Sequence, residues 1–128
     1  MPLPITALYA AILAVILTTL AINVTVHRAK LDVPIGHGDN PLMARMMRIH
    51  GNAAEYIPIA LLLMLVYEIN GGNHTALHSV GIALVLARLL HVWGMWHSTG
   101  PTFGRIAGPS LTWLVILVLA VLNVLKVV

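Results

Sequence analysis

The sequence lacks cysteine altogether and is poor in charge, in acidic residues and in aromatic rings. Of 128 residues none is cysteine, four are acidic, seven are lysine or arginine, and one is phenylalanine. Without cysteine the chain has no disulfide, no thiolate ligand and no thiol nucleophile, so any thiol chemistry must use a substrate's sulfur. Charged residues make up only 9% of the chain against 59% apolar ones, too few to cover a soluble domain of this size. We therefore predict an integral membrane protein.

The net charge of +3 does not indicate a nucleic-acid partner. Nucleic-acid surfaces combine clustered basic residues with aromatic rings that stack on bases, and the seven basic residues of this sequence do not follow that pattern. Sparse basic residues beside apolar stretches are typical of the charges that orient membrane helices.

What the sequence does have is long apolar stretches. A bilayer core about 30 Å thick takes about 20 residues of helix. Four stretches of about that length run approximately over residues 4–26, 42–69, 74–96 and 105–125. The length allows one domain, residues 1–128. We predict an all-α integral membrane protein whose single domain is a bundle of four transmembrane helices.

The basic residues predict the orientation of these helices. The connection after the first span holds Arg28, Lys30, Arg45 and Arg48, and the connection after the third ends at Arg105. The short turn after the second span has no basic residue. The positive-inside rule then places the two basic connections in the cytosol and both termini on the opposite side.

Four polar residues of the second span follow a helical spacing. Arg45, Arg48, Asn52 and Glu55 are separated by 3, 4 and 3 residues, which aligns them along one face of an α-helix. We call them the polar stripe. Ionisable groups at membrane depth are costly unless they find partners or line a wet cavity, so the polar stripe is a candidate functional site.

The short turn at residues 70–73 predicts that the second and third helices form an antiparallel hairpin. Reflection through the centre of this turn places Glu55 level with Arg88, and Asn52 level with His91. We therefore predict an ion pair between Glu55 and Arg88. Two interpretations remain open: a salt bridge that only fixes the register of the two helices, or one part of a binding site.

Positive groups outnumber acids at the predicted cytosolic end. Arg48, His50, Asn52, His91 and Arg105 are expected to converge there around a single carboxylate. A surplus of fixed cations in a partly desolvated cleft favours an anionic ligand. The predicted ligand is small, cytosolic and rich in carboxylates.

Two other kinds of site are less favoured. His74 and His78 are four residues apart, but no third metal ligand lies near them in the sequence, so we predict no metal site. An ion pathway through Glu55, Arg88 and His91 lacks a relay in the outer half of the chain, where Glu68 near the far edge is the remaining acid. A transporter or channel is therefore the weakest of the functions considered.

The same residues resemble the membrane-associated proteins in eicosanoid and glutathione metabolism, the MAPEG family. This family includes microsomal glutathione transferases, leukotriene C4 synthase and microsomal prostaglandin E synthase. The motifs that carry the resemblance are Arg45-x-x-Arg48-x-x-x-Asn52-x-x-Glu55-Tyr56-x-Pro58, Ala87-Arg88-Leu-Leu-His91 and Arg105-Ile-Ala. The resemblance covers essentially the whole chain, including the number of spans.

The resemblance implies a homotrimer in a bacterial inner membrane, with glutathione bound in clefts between subunits that face the cytosol. The residues implied to bind glutathione are Arg28, Arg48, His50, Asn52, Glu55, Tyr56, Arg88 and His91. Arg105 matches the arginine that holds the glutathione sulfur as a thiolate, because a permanently charged guanidinium lowers the pKa of a nearby thiol. Met95 stands where many catalytic members carry a tyrosine.

The implied function is a glutathione-dependent membrane transferase or peroxidase. Its thiol would attack a lipophilic electrophile or hydroperoxide arriving from the bilayer, with glutathione as co-substrate and without a metal. The alternative is a non-enzymatic lipid-binding or scaffold protein of the same fold, as the lipoxygenase-activating member of the family exemplifies.

Overall fold

The computed structural model describes residues 2–128, which form four α-helices joined by short loops. The helices are α1 (Pro4–Leu31), α2 (Pro41–Ile69), α3 (His74–His97) and α4 (Phe103–Val127). Each is long and apolar enough to cross a membrane, judged by length and composition. The predicted all-α class with four membrane helices is confirmed.

The first helix extends past the predicted limit of its apolar span at residue 26. The added residues include the polar His27, Arg28 and Lys30. α1 ends where Asp32 adopts a left-handed conformation, φ 54°, and donates its backbone N–H to the carbonyl of Arg28. The helix therefore continues beyond its apolar part before the chain turns.

The start of α1 is fixed by a residue from another helix. α1 has no side-chain cap of its own. Instead the carboxylate of Glu68, near the end of α2, accepts hydrogen bonds from the backbone N–H groups of Ile5 (3.1 Å) and Thr6 (2.8 Å). A carboxylate is favourable at the positive end of a helix, and Glu68 is buried there. This contact joins α1 to α2 at the end of the bundle opposite the polar stripe.

The closest helix packing is between α3 and α4, and it depends on glycine. A Cβ atom added at Gly108 would lie 2.6 Å from the Cβ of His91, and one added at Gly104 would lie 2.7 Å from the carbonyl oxygen of Leu90. Small residues four apart let helix backbones approach in this way. The next residue in the series, Thr112, is fully buried against α3.

The helices do not pair as the short turn predicted. α3 packs most extensively against α4, and α1 against α2, whereas α2 and α3 share fewer contacts. The turn at residues 70–73 therefore does not join α2 and α3 into the most closely packed pair of the bundle. Two residues of the polar stripe, Arg48 and Asn52, line a gap between α2, α3 and α4.

Candidate functional site

A cleft between α2, α3 and α4 brings together five of the predicted site residues. It lies near the end of the bundle where α2 begins and α3 ends, and its volume is about 410 Å³. Its polar lining consists of Arg48, Asn52 and Tyr56 from α2, His91 from α3, and Arg105 and Ser110 from α4. Met95, Ile106, Pro109 and Trp113 complete the wall. We call this space the polar cleft.

Arg88 lies behind the polar cleft and not in its lining. Its side chain is buried, and its Nη1 donates to Oδ1 of Asn52 at 2.7 Å while its Nη2 donates to Oγ1 of Thr112 at 2.6 Å. The Thr112 hydroxyl in turn donates to the carbonyl of Gly108 at 2.9 Å. These bonds connect α2, α3 and α4. Because the carbonyl oxygen of Asn52 is occupied by Arg88, the amide N–H₂ of Asn52 remains as a donor for a ligand in the cleft.

The predicted ion pair between Glu55 and Arg88 is wrong in this structure. Glu55 instead accepts from Nη1 of Arg48 at 3.2 Å, and both side chains are more than half exposed. The reflection through the turn assumed that α2 and α3 lie side by side. Because α3 is drawn against α4, Arg88 meets Asn52, roughly one helical turn before Glu55. The exposed pair of Arg48 and Glu55 stabilises the fold by at most about 1 kcal/mol.

Arg105 lies at the rim of the polar cleft and is held by the loop before α4. Its Nη1 donates to the carbonyl oxygens of Ser98 (3.1 Å) and Gly100 (3.2 Å). Its side chain also lines the polar cleft. The guanidinium is thus anchored by neutral acceptors, which leave its positive charge unneutralised.

Arg28, His50 and Glu55 are not part of the lining of the polar cleft. Nη1 of Arg28 donates to the carbonyl oxygens of Val33 (3.1 Å) and Gly36 (2.8 Å), so this side chain braces the loop between α1 and α2. His50 lies two residues before Asn52, about 200° around the helix. A single subunit therefore brings together Arg48, Asn52, Tyr56, His91 and Arg105, but not the whole predicted set.

Comparison with known proteins identifies the family. The sequence model of the MAPEG family matches residues 6–125, nearly the whole chain. The chain belongs to the MAPEG family. It is similar to "Inner membrane protein YecN" of Escherichia coli strain K12 and to the protein of that name in E. coli O6:H1 strain CFT073. Each is 38% identical over 119 residues, which are 93% of this chain and 89% of the relative. The resemblance seen in the motifs is confirmed.

The structure of this MAPEG protein adds residues that sequence reasoning missed. Thr112 holds Arg88, and Trp113 packs edge to face on Tyr56 with ring centroids 6.3 Å apart. Trp113 could have been predicted from its spacing. Arg105, Pro109 and Trp113 are each four residues apart and so lie on one face of α4. Thr112 follows Gly104 and Gly108 at the same spacing of four, which indicates close helix packing but does not indicate a hydrogen bond to Arg88.

The described residues 2–128 contain no cluster of three histidine or acidic side chains that could hold a metal ion. His78 instead lies beside Tyr9, with 3.1 Å between its Nδ1 and the tyrosine hydroxyl.

The charge of the polar cleft is positive. Arg48 and Arg105 line it, and Arg88 lies directly behind it. Among the described residues none of those lining the cleft is acidic, and Glu55 is paired with Arg48 without lining the cleft. Guanidinium groups held in a partly buried cleft favour a carboxylate or another anion.

Proposed function

We propose that this MAPEG protein binds glutathione in the polar cleft and activates its thiol. The observation that carries this proposal is the convergence of Arg48, Asn52, Tyr56, His91 and Arg105 on one cleft without an acidic lining residue. Glutathione is a small anionic peptide with carboxylates to bind and a thiol to activate. Its negative charge suits the guanidinium groups of the cleft.

The side chains of the cleft suggest how the tripeptide is held. Arg48 and the amide of Asn52 donate to a glutathione carboxylate, and Tyr56 and His91 supply further hydrogen bonds. Glu55, which is paired with Arg48 and more than half exposed, accepts from the glutathione amino group. Arg88 acts through Asn52, whose carbonyl oxygen it occupies.

In this proposal Arg105 activates the glutathione thiol. A thiol is mostly protonated at neutral pH, and a fixed guanidinium stabilises the thiolate and so lowers the thiol pKa. The thiol proton leaves to water. The sulfur then attacks an electrophilic carbon, and the C–S bond forms as the leaving group departs with its bonding electrons and takes a proton from water. With a hydroperoxide the sulfur attacks the terminal oxygen, and the O–O bond breaks. The alkoxide takes a proton from water and leaves as an alcohol, and a second glutathione reduces the resulting sulfenic acid to glutathione disulfide and water.

The second substrate enters from the bilayer. Ile106 and Trp113 line the cleft and are about half exposed or more in the single subunit, which supports entry along this apolar wall. A lipophilic acceptor concentrates in the membrane while glutathione stays in water. A cleft between the two phases supplies the proximity that the reaction needs.

We further propose a homotrimer in the inner membrane, with the cleft toward the cytosol and both termini on the other side. The support is that Arg28 and His50, which match glutathione-binding positions, lie outside the cleft of their own subunit. Assembly would bring Arg28 and His50 of one subunit to the cleft of the next.

Thiolate formation tests this function directly. The protein, purified in a neutral detergent, is titrated with glutathione at neutral pH while thiolate absorbance in the ultraviolet is recorded. We expect a thiolate signal for the wild type, its loss in Arg105→Gln, and no change in Lys126→Gln. Lys126 is a matched cation at the far end of the bundle, where it donates to the carbonyl of Gly71. Absence of the signal in the wild type contradicts thiol activation.

A second candidate is a lipid-binding protein without enzymatic activity. It is favoured by Met95, which lines the cleft without a hydrogen-bond donor where many catalytic members carry tyrosine. Lipid binding that is unaffected by glutathione, together with the absence of a thiolate signal, would support this candidate.

A further inference from the structure

A second cavity lies beside the polar cleft, and arginine dominates its polar lining. Its volume is about 390 Å³, and the residues that matter for its chemistry are Arg45, Arg48, Arg105, Thr99, Leu42 and Met95. We call it the arginine cavity. Arg48, Met95 and Arg105 line both spaces, so the two cavities adjoin.

Arg45 is the member of this set that lacks a partner within the described residues 2–128. Arg48 is paired with Glu55, and Arg105 donates to the loop carbonyls. The Nε of Arg45 is buried and has no hydrogen-bond acceptor in that part of the chain. An unsatisfied N–H of a charged group is costly, and an anionic oxygen in the cavity would satisfy it. Among the described residues none of those lining the cavity is acidic.

The remaining lining is mostly apolar and lies at one end of the bundle. Leu42 and Met95 contribute carbon surface. α2 begins at Pro41, α3 ends at His97 and α4 begins at Phe103, so the cavity lies at the level where membrane helices reach the lipid headgroups. Basic pockets between helices at this level suit anionic headgroups. A purely aqueous anion would leave the apolar lining without a contact.

We propose that the arginine cavity binds the anionic headgroup, phosphate or carboxylate, of a membrane amphiphile, with Arg45 as its main ligand. An acidic phospholipid and a lipophilic acid share this chemistry. Because Arg48 and Arg105 line both spaces, a bound headgroup competes with glutathione for these two guanidinium groups. This last consequence rests on the proposed function; the headgroup site does not.

The site is tested without glutathione. Native mass spectrometry of the full chain in a neutral detergent measures retention of phosphatidylglycerol, of phosphatidylcholine with the same acyl chains, and of inorganic phosphate. We expect phosphatidylglycerol to be retained at concentrations about tenfold lower than phosphatidylcholine. Arg45→Gln should remove this preference and Arg45→Lys should restore part of it. Lys30→Gln, which removes a cation outside the cavity at the same end of the bundle, should leave the preference intact.

Equal retention of the two phospholipids, or a preference that survives Arg45→Gln, overturns the proposal. Inorganic phosphate bound as tightly as phosphatidylglycerol overturns the requirement for an apolar chain. If Arg45→Gln does not fold, Ala44→Phe fills the cavity while keeping all three arginines and should also remove the preference. Lipids that carry a carboxylate, tested in the same way, distinguish phosphate from carboxylate recognition.

Competition is tested separately. Glutathione affinity is measured in neutral detergent with and without phosphatidylglycerol, and we expect severalfold weaker binding when the lipid is present. Retention of the lipid without any glutathione binding would leave the headgroup site standing and remove the proposed function.

Discussion

Replacing Thr112 by valine tests the hydrogen bonds behind the polar cleft. Valine keeps nearly the shape of threonine and removes the hydroxyl, which accepts from Arg88 at 2.6 Å. Arg88 is about 1% exposed, so water does not replace the lost acceptor. The variant leaves a buried guanidinium with Asn52 as its remaining acceptor within the described residues.

The magnitude follows from the environment of this bond. Hydrogen bonds between membrane helices average about 0.6 kcal/mol and reach about 1.7 kcal/mol. Bonds to charged groups contribute about 1.5–3 kcal/mol. The bond from Arg88 is short, buried and charged, so it belongs near the upper limit. We expect Thr112→Val to lower the free energy of unfolding by about 2 kcal/mol, or roughly 30-fold in the equilibrium constant.

Reversible unfolding in mixed micelles with increasing sodium dodecyl sulfate measures this loss. Thr19→Val is the matched control, because Thr19 makes the same kind of bond to its own helix, from Oγ1 to the carbonyl of Val15 at 2.8 Å, but is exposed. We expect that control to change stability by less than about 0.5 kcal/mol. Thr112→Ser keeps the hydroxyl and should lose less than the valine variant.

A Thr112→Val variant as stable as the Thr19→Val control would refute the reasoning, because it would show that Arg88 does not depend on this acceptor. Glutathione binding supplies a second readout. If Arg88 positions the Asn52 amide, the valine variant should also bind glutathione more weakly under conditions in which it is fully folded.

Three further predictions concern packing, capping and orientation. Gly108→Ala places a Cβ against the α3 backbone and should lower the free energy of unfolding by about 1–3 kcal/mol in the same assay. Gly100→Ala, whose Cβ meets nothing closer than 3.9 Å, should lower it little. Equal losses for the two variants would contradict the close packing of α3 on α4. Glu68→Gln weakens the cap of α1 and should speed hydrogen exchange of the first amides of that helix, and unchanged exchange would contradict the cap. The cysteine of His37→Cys should react with a membrane-impermeant thiol reagent added on the cytosolic side, and the cysteine of Thr75→Cys should react with the reagent added on the opposite side. The reverse pattern would contradict the predicted orientation.

The helices could be predicted because membrane spanning imposes a length. Apolar stretches of about 20 residues, separated by segments rich in glycine, proline and asparagine, specify four helices with little competition from other folds. Helix ends were less predictable, since α1 continues to Leu31 through a segment that contains His27, Arg28 and Lys30 and that hydropathy alone does not assign to the helix.

The wall of the polar cleft was partly predictable. Helical spacing placed Arg48 and Asn52 on one face, and the structure has both in the cleft lining. The partner of Arg88 was not predictable from turn length, because that length fixes the depth of residues only if the two helices lie side by side. Gly104 and Gly108 decide the packing instead, and they draw α3 toward α4. Their spacing was visible in the sequence, but which helix they approach was not.

Equilibrium titration with glutathione tests the central claim most directly, with three forms of the purified protein compared by calorimetry. We predict that the wild type binds and that Asn52→Leu, which removes a donor from the cleft lining and the acceptor that Asn52 offers to Arg88, binds at least about tenfold more weakly. Asn123→Leu should bind like the wild type, because Asn123 donates to the carbonyl of Leu63 outside the cleft. No binding by the wild type, or equal binding by all three forms, would contradict the assignment of the polar cleft as a glutathione site.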